Sequence, residues 1–162
     1  MNKIIIGIDP SLRSTGICIM KTSTDYETHV IKPKELRGIE RLDFIKRQIE
    51  NIIKKYVGLT SDTELIVAIE DYGFCSVGRN FELGELGGVI KIFFYEFGIP
   101  ECNIRKVGIG TWKKEVVGNG RAKKEEIAYY VKNILGQEFK TQDECDSFCI
   151  AEYIRRQIKG GF

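Results

Sequence analysis

Residues 3–21 read KIIIGIDPSLRSTGICIMK, and this stretch decides the fold. Residues 3–9 form a short apolar run that ends in an acid, the pattern of a buried strand. Residues 11–16 carry turn chemistry, and residues 16–21 return as a second apolar run, so the two runs predict an antiparallel hairpin. Residues 29–36 follow as a third strand, held near a sheet edge by Pro33. The period then changes: Ile39, Leu42, Ile45, Ile49, Ile52, Ile53 and Tyr56 recur at helical spacing and stop before Gly58. Residues 64–70, ELIVAIE, are apolar on both faces, as a central strand of a covered sheet must be. Beyond them the pattern predicts a helix over 81–97, closed by Gly98 and Pro100, and a strand over 103–109. Short helices over 111–117 and 122–135 and a long amphipathic helix over 143–158 complete the chain. Strands alternating with helices after an opening hairpin define an α/β fold with a mixed β-sheet flanked by helices.

The 162 residues match the length of one domain, 1–162, with 43% hydrophobic and 30% charged residues, the balance of a globular protein. The opening MNKIIIGID is too short an apolar run for a signal peptide, and no stretch approaches a membrane span. A cytoplasmic protein with no membrane association is expected. Five cysteines (Cys18, Cys75, Cys102, Cys145, Cys149) and one histidine do not make a four-ligand zinc site, which leaves reduced thiols. The net charge of +2 is unevenly spread, for residues 101–140 hold nine basic and five acidic side chains. A local basic excess is the footprint of a polyanion contact, or a solvated face on a lysine-rich chain.

Carboxylates stand where packing alone would not put them. Asp9 ends the first strand and Glu70 ends the most apolar one, and the carboxyl ends of neighbouring strands converge on one crevice. Asp143 and Asp146, three apart at the start of the last helix, project from one face. Each has a structural reading when taken singly: Asp143 as a helix cap or dipole partner, Asp9 before Pro10 as a turn initiator. Brought together, four carboxylates repel, and a hard divalent cation relieves the conflict; all-oxygen ligation selects Mg²⁺, with Mn²⁺ substituting, over zinc. Two such ions about 4 Å apart are a known device for phosphodiester hydrolysis, which needs no histidine and no small-molecule cofactor.

The segment GIDPSLRSTG (residues 7–16) resembles the opening of the RuvC-type Holliday-junction resolvases. The resemblance continues at IE (69–70), LGELGGV (83–89) and VVGNGRAKKEEI (116–127), and closes at DECDSFCIAEY (143–153). It implies a ribonuclease H-like fold acting as a homodimer that nicks opposing strands of a four-way junction symmetrically, leaving 5′-phosphates. It carries the metal ligands over to Asp9, Glu70, Asp143 and Asp146, and two catalytic lysines to Lys113 and Lys124, with Lys114 and Lys123 one step away. Arg121, Lys114 and Lys123 fall in the DNA-binding stretch. After the glutamate the family places an aromatic that stacks on bases, here Tyr72 or Phe74. Gly84, Gly87 and Gly88 interrupt a helix at about 1 kcal/mol each, which implies close backbone approach either across a dimer interface or onto the sheet, and the resemblance favours the dimer contact.

Some residues depart from the family pattern. Asp71 adds an acid beside Glu70, and Ser147, Phe148 and Cys149 stand where small residues are usual. The divergence points to a phage or mobile-element version. Three rivals remain. The opening also resembles the phosphate loop of sugar-kinase and actin-like ATPases, which need a second such domain that 162 residues do not contain. A ribonuclease H-like nuclease acting on RNA or an RNA–DNA hybrid would carry the same acids. A junction-binding protein without catalysis would have no use for them.

Overall fold

A computed structural model of the chain describes residues 2–56, 63–71 and 80–158. Five strands form one sheet: β1 (Asn2–Asp9), β2 (Thr15–Met20), β3 (Tyr26–Ile31), β4 (Thr63–Asp71) and β5 (Ile104–Gly108), in the order β3-β2-β1-β4-β5. The first three pair antiparallel, as the hairpin pattern predicts, and β1–β4 and β4–β5 pair parallel. The helices are α1 (Gly38–Ile53), α2 (Asn80–Glu96), α3 (Ile109–Val117), α4 (Lys124–Asn133) and α5 (Gln142–Gln157).

Strand side chains alternate between the two faces, and each face carries its own core. Ile4, Ile6, Ile8, Ile17, Ile19, Val67 and Ile69 pack with α1 and α2 through Ile45, Ile49, Leu86, Ile90 and Phe94. Ile5, Cys18, Met20, Ile66, Ala68 and Val107 pack with α3, α4 and α5 through Trp112, Ile127, Phe148, Ile150 and Ile154. The isoleucine run 4–6 therefore feeds both layers, which is why it shows no alternation in sequence.

Three expectations change. The third strand spans Tyr26–Ile31, so it starts three residues before position 29 and Pro33 lies beyond its end. A turn sets that start: the Thr22 hydroxyl accepts from the Thr24 and Asp25 N–H groups, and Lys21 N–H donates to the Asp25 carbonyl. Tyr26 then packs on Phe139 and Phe148. The strand does lie at an edge. Secondly, Asp143 does not cap α5. Thr141 does, accepting from Glu144 N–H at 3.2 Å while the Glu144 carboxylate accepts from Thr141 N–H at 2.9 Å. Thirdly, Gly87 is buried within the single chain and is not available to a second one. A Cβ on Gly88 would meet nothing within 4 Å, and Gly84 is partly accessible.

Two glycines set the distance between α5 and the sheet. A Cβ on Gly7 of β1 would stand 2.3 Å from the Ser147 carbonyl oxygen and 2.7 Å from Ala151 N. One on Gly16 of β2 would stand 2.1 Å from the Asp143 carbonyl oxygen. These are backbone atoms of a helix, which cannot swing aside as a side chain would. Gly7→Ala should therefore lower the unfolding free energy by about 1–3 kcal/mol or more, read as a fall in the urea midpoint.

Candidate active site

Register brings the first two acids together. Asp9 is paired with Gly16 across β1–β2, and Ile8 with Ile69 across β1–β4, so Glu70 emerges beside Asp9 at the carboxyl ends of two parallel strands. Alternation turns both toward the layer of α3 and α5. The capped first turn of α5 lies against Gly16 and delivers Asp143 and Asp146 to the same place.

The electrostatics confirm the proximity. Burial, followed by the negative charges of Glu70, Asp146 and Asp143, pushes the Asp9 carboxyl up to about 8, against a partial offset from Lys124. Burial also raises Glu70, helped by Asp146 and opposed by a hydrogen bond from Trp112 and the charge of Lys113. Asp146 is raised by burial and by Asp143, with Gln142, Lys113 and Lys124 opposing. Asp9 thus feels the other three acids, Glu70 feels Asp146 and Asp146 feels Asp143, with Lys113 and Lys124 as the cations that act on them. Lys113 is partly buried, its Nζ 3.1 Å from the Ala122 carbonyl oxygen and 5.6 Å from the centre of the Trp112 ring. Lys114, Lys123 and Arg121 are exposed outside the acidic cluster. Tyr72 and Phe74 lie outside the described residues.

Three neutral donors hold the acids in place, and sequence reasoning missed all three. Trp112 Nε1 donates to Glu70 Oε2 at 2.7 Å, Ser14 Oγ to Asp143 Oδ2 at 2.5 Å, and Gln142 Nε2 to Asp146 Oδ1 at 2.7 Å. The available signal was the single tryptophan of the chain, since a buried indole must find an acceptor for its N–H. Trp112 is itself held by a clasp on α3. The buried Glu152 of α5 takes Arg155 at 2.6 Å and Arg156 at 2.9 Å, and Arg156 donates onward to the Glu115 and Val116 carbonyls at the end of α3. Asp71 turns away from the cluster and pairs with Lys106 at 2.9 Å.

The donor set suits a hard divalent cation: four carboxylates, no thiolate or imidazole, and a carboxyl that is costly to ionise without one. Among the described residues, no three acidic, histidine or cysteine side chains already converge as a ligand cage. Glu70, Asp143 and Asp146 each accept a hydrogen bond, from Trp112, Ser14 and Gln142 respectively.

A family model described as Crossover junction endodeoxyribonuclease RuvC matches residues 5–153. The chain belongs to the RuvC family. Among relatives, the RuvC of Nitratidesulfovibrio vulgaris strain DP4 is 32% identical over 137 residues, 82% of this chain and 77% of that protein. The RuvC of Sulfurovum sp. strain NBC37-1 is 30% identical and spans 96% of each chain. Thermus thermophilus RuvC shares the fold at a TM-score of 0.72 and 22% identity, over 95% of this chain and 96% of that one. The same protein in complex with Holliday junction substrate matches at 0.73, covering 95% of each. The ribonuclease H-like α/β fold is therefore the one the sequence predicts, and RuvC nucleases depend on divalent metal in general. Among the described residues, no helix is long and apolar enough to cross a membrane.

Two outcomes follow from this geometry. The raised Asp9 carboxyl means that the folded chain holds its proton from about pH 4 to about 8, where the unfolded chain has lost it. Stability without metal should fall as pH rises through that window. Added Mg²⁺ should restore it, with a gain that grows toward pH 8 and amounts to several degrees, at about 2–4 °C per kcal/mol. Calorimetry at pH 5 and pH 8 checks this, with Asp9→Asn expected to show a smaller fall, since Glu70 and Asp146 are raised as well. Separately, Glu70→Gln removes the charge that Trp112 donates to. The emission of that single indole should shift and cease to respond to Mg²⁺ in a fluorescence titration.

Proposed function

We propose that this chain, acting as one nuclease domain over residues 1–162, is a structure-selective endonuclease. It hydrolyses phosphodiesters in four-way Holliday junctions and related branched DNA, nicking opposing strands symmetrically. The observation that carries this reading is that Glu70 at the neighbouring strand end and Asp143 and Asp146 at the start of α5 are all near enough to act on the Asp9 carboxyl, in a RuvC-family fold. Relatives at about 30% identity are named crossover junction endodeoxyribonucleases.

In this reading Asp9, Glu70, Asp143 and Asp146 hold two Mg²⁺ ions, with Mn²⁺ able to substitute. Bound there, the ions supply water activation and stabilisation of the leaving oxygen. The chain's own groups do the rest. Trp112, Ser14 and Gln142 each donate to one oxygen of a carboxylate and so restrain Glu70, Asp143 and Asp146. Lys113 and Lys124, which already act on the acids, are placed to meet charge that accumulates on a phosphoryl group. Lys114, Lys123 and Arg121, exposed on the same segment, contact the DNA backbone. Tyr72 and Phe74 supply stacking at the opened junction.

Symmetric nicking needs two sites, hence a homodimer. The outer face of α2 favours that assembly, for Phe81, Ile92 and Tyr95 are 86%, 50% and 60% exposed and Gly88 opens onto free space. Large apolar side chains aligned on one helix face are unusual on a monomer. A protein of this kind works on DNA in the cytoplasm.

The test is cleavage of synthetic four-way DNA junctions in Mg²⁺ and in EDTA, with linear duplex and RNA–DNA hybrid alongside. Paired, metal-dependent nicks confined to the junction are expected, and preferential cutting of the hybrid would overturn the reading. Asp146→Asn should keep junction affinity and lose cleavage by more than about a hundredfold, since losing even an outer partner of a metal ligand costs 10–100-fold. Cleavage at the normal rate by this variant would remove Asp146 from the site.

A further inference from the structure

On the other side of the turn that bears Ser14, the surface opens into a groove of about 780 Å³. It is lined by Ser11, Leu12 and Arg13 of that turn, by residues 34–37 and Arg41 at the head of α1, and by Glu82 and Leu83 of α2. Four cations face it, against the two acids Glu35 and Glu82. Arg41 is spoken for, its Nε donating to the Leu36 carbonyl at 2.7 Å and its Nη1 lying 3.7 Å from Glu82. Arg13, Lys34 and Arg37 are exposed and take no ion-pair partner among the described residues.

The backbone holds these three cations in place. The Ser11 hydroxyl accepts from both the Arg13 and Ser14 N–H groups, at 3.2 and 3.3 Å, while the Thr15 hydroxyl donates to the Ser11 carbonyl at 2.7 Å. That turn is therefore stiff, and its far end is tied to Asp143 through Ser14. Lys34 sits at φ 52° in the turn closed by Leu36 N–H on the Pro33 carbonyl. That left-handed conformation favours glycine, yet a cation stands there. Arg37 is the residue before α1, whose first turn has no side-chain cap to occupy its N–H groups.

We propose that this groove holds the phosphodiester backbone of the nucleic-acid strand next to the acidic centre, with Arg13, Lys34 and Arg37 as its phosphate contacts. The proposal rests on the nuclease reading and adds a second contact surface, opposite the basic segment 101–140 that sequence composition singles out. Through the turn 11–15, a phosphate in the groove and the carboxylate of Asp143 share one rigid support. The groove offers charge and no paired donor–acceptor edge, so it positions a backbone and does not read bases.

The experiment is a salt series of binding to a synthetic four-way DNA junction and to linear duplex, both in EDTA. The double variant Arg13→Gln/Arg37→Gln should bind the junction about an order of magnitude more weakly at low salt. Its slope of log affinity against log salt should be shallower by about 2. Glu35→Gln, which removes an acid from the groove, should bind more tightly, a gain that a folding defect cannot produce. Arg47→Gln, an exposed cation of α1 paired with Asp43 outside the groove, should leave the slope unchanged. Equal slopes for the double variant and the unsubstituted protein overturn the proposal. So does a loss in Arg47→Gln that matches the double variant, because net charge would then explain it. If the unsubstituted protein shows no preference for the junction over duplex, the resolvase reading fails, while the slopes on duplex still decide the groove.

Discussion

The structure depends on how closely the last helix approaches the sheet. Without a side chain at Gly7 and Gly16, the backbone of α5 rests on the backbones of β1 and β2, and any Cβ there would intrude on the Ser147, Ala151 or Asp143 backbone. Interiors are packed too densely to absorb such an intrusion. This contact converts two acids on a helix, more than seventy residues from Glu70 in sequence, into neighbours of the acids at the strand ends. Were α5 held off by even one methyl group, Asp143 and Asp146 would move out from the crevice.

Closeness has an electrostatic cost that the fold distributes. Burial, and then neighbouring negative charge, raises the carboxyls of Asp9, Glu70 and Asp146, Asp9 most clearly. Glu70, Asp143 and Asp146 each accept one neutral hydrogen bond, from Trp112, Ser14 and Gln142 respectively, and Lys113 and Lys124 approach from α3 and α4. The Glu152–Arg155–Arg156 clasp fastens α3 to α5, and so fixes the Trp112 indole that fixes Glu70. Only Glu152 of this triad is buried, so the arginines chiefly offset the cost of burying its charge. The value of the clasp is geometric, for it joins the helix bearing the lysine to the helix bearing the aspartates.

Much of the site was legible because the relevant signals are local. A short apolar run ending in an acid marks a strand end, and two acids three apart mark one helix face. These patterns singled out Asp9, Glu70, Asp143 and Asp146, and the charges of the last three act on the Asp9 carboxyl in the fold. Boundaries set by non-local partners were less legible. The start of β3 depends on a threonine turn and on Tyr26 reaching Phe148, and the cap of α5 falls to Thr141 because Glu144 can answer it. The glycines of α2 looked alike in sequence, yet one is buried within the chain and another faces open space.

By itself the sequence determined the order and type of the elements and marked four acids as candidate ligands, since periodicity and strand-end chemistry are properties of short stretches. Only the tertiary structure decided which neutral groups restrain those acids, which lysines reach them and where a second basic surface lies. Trp112 and Glu70 are 42 residues apart, and Ser14 and Asp143 are 129 apart. Hydrogen bonds and fields act over a few ångströms of space, and no local pattern encodes which distant residues the packing of α5 on two glycines will bring within that range.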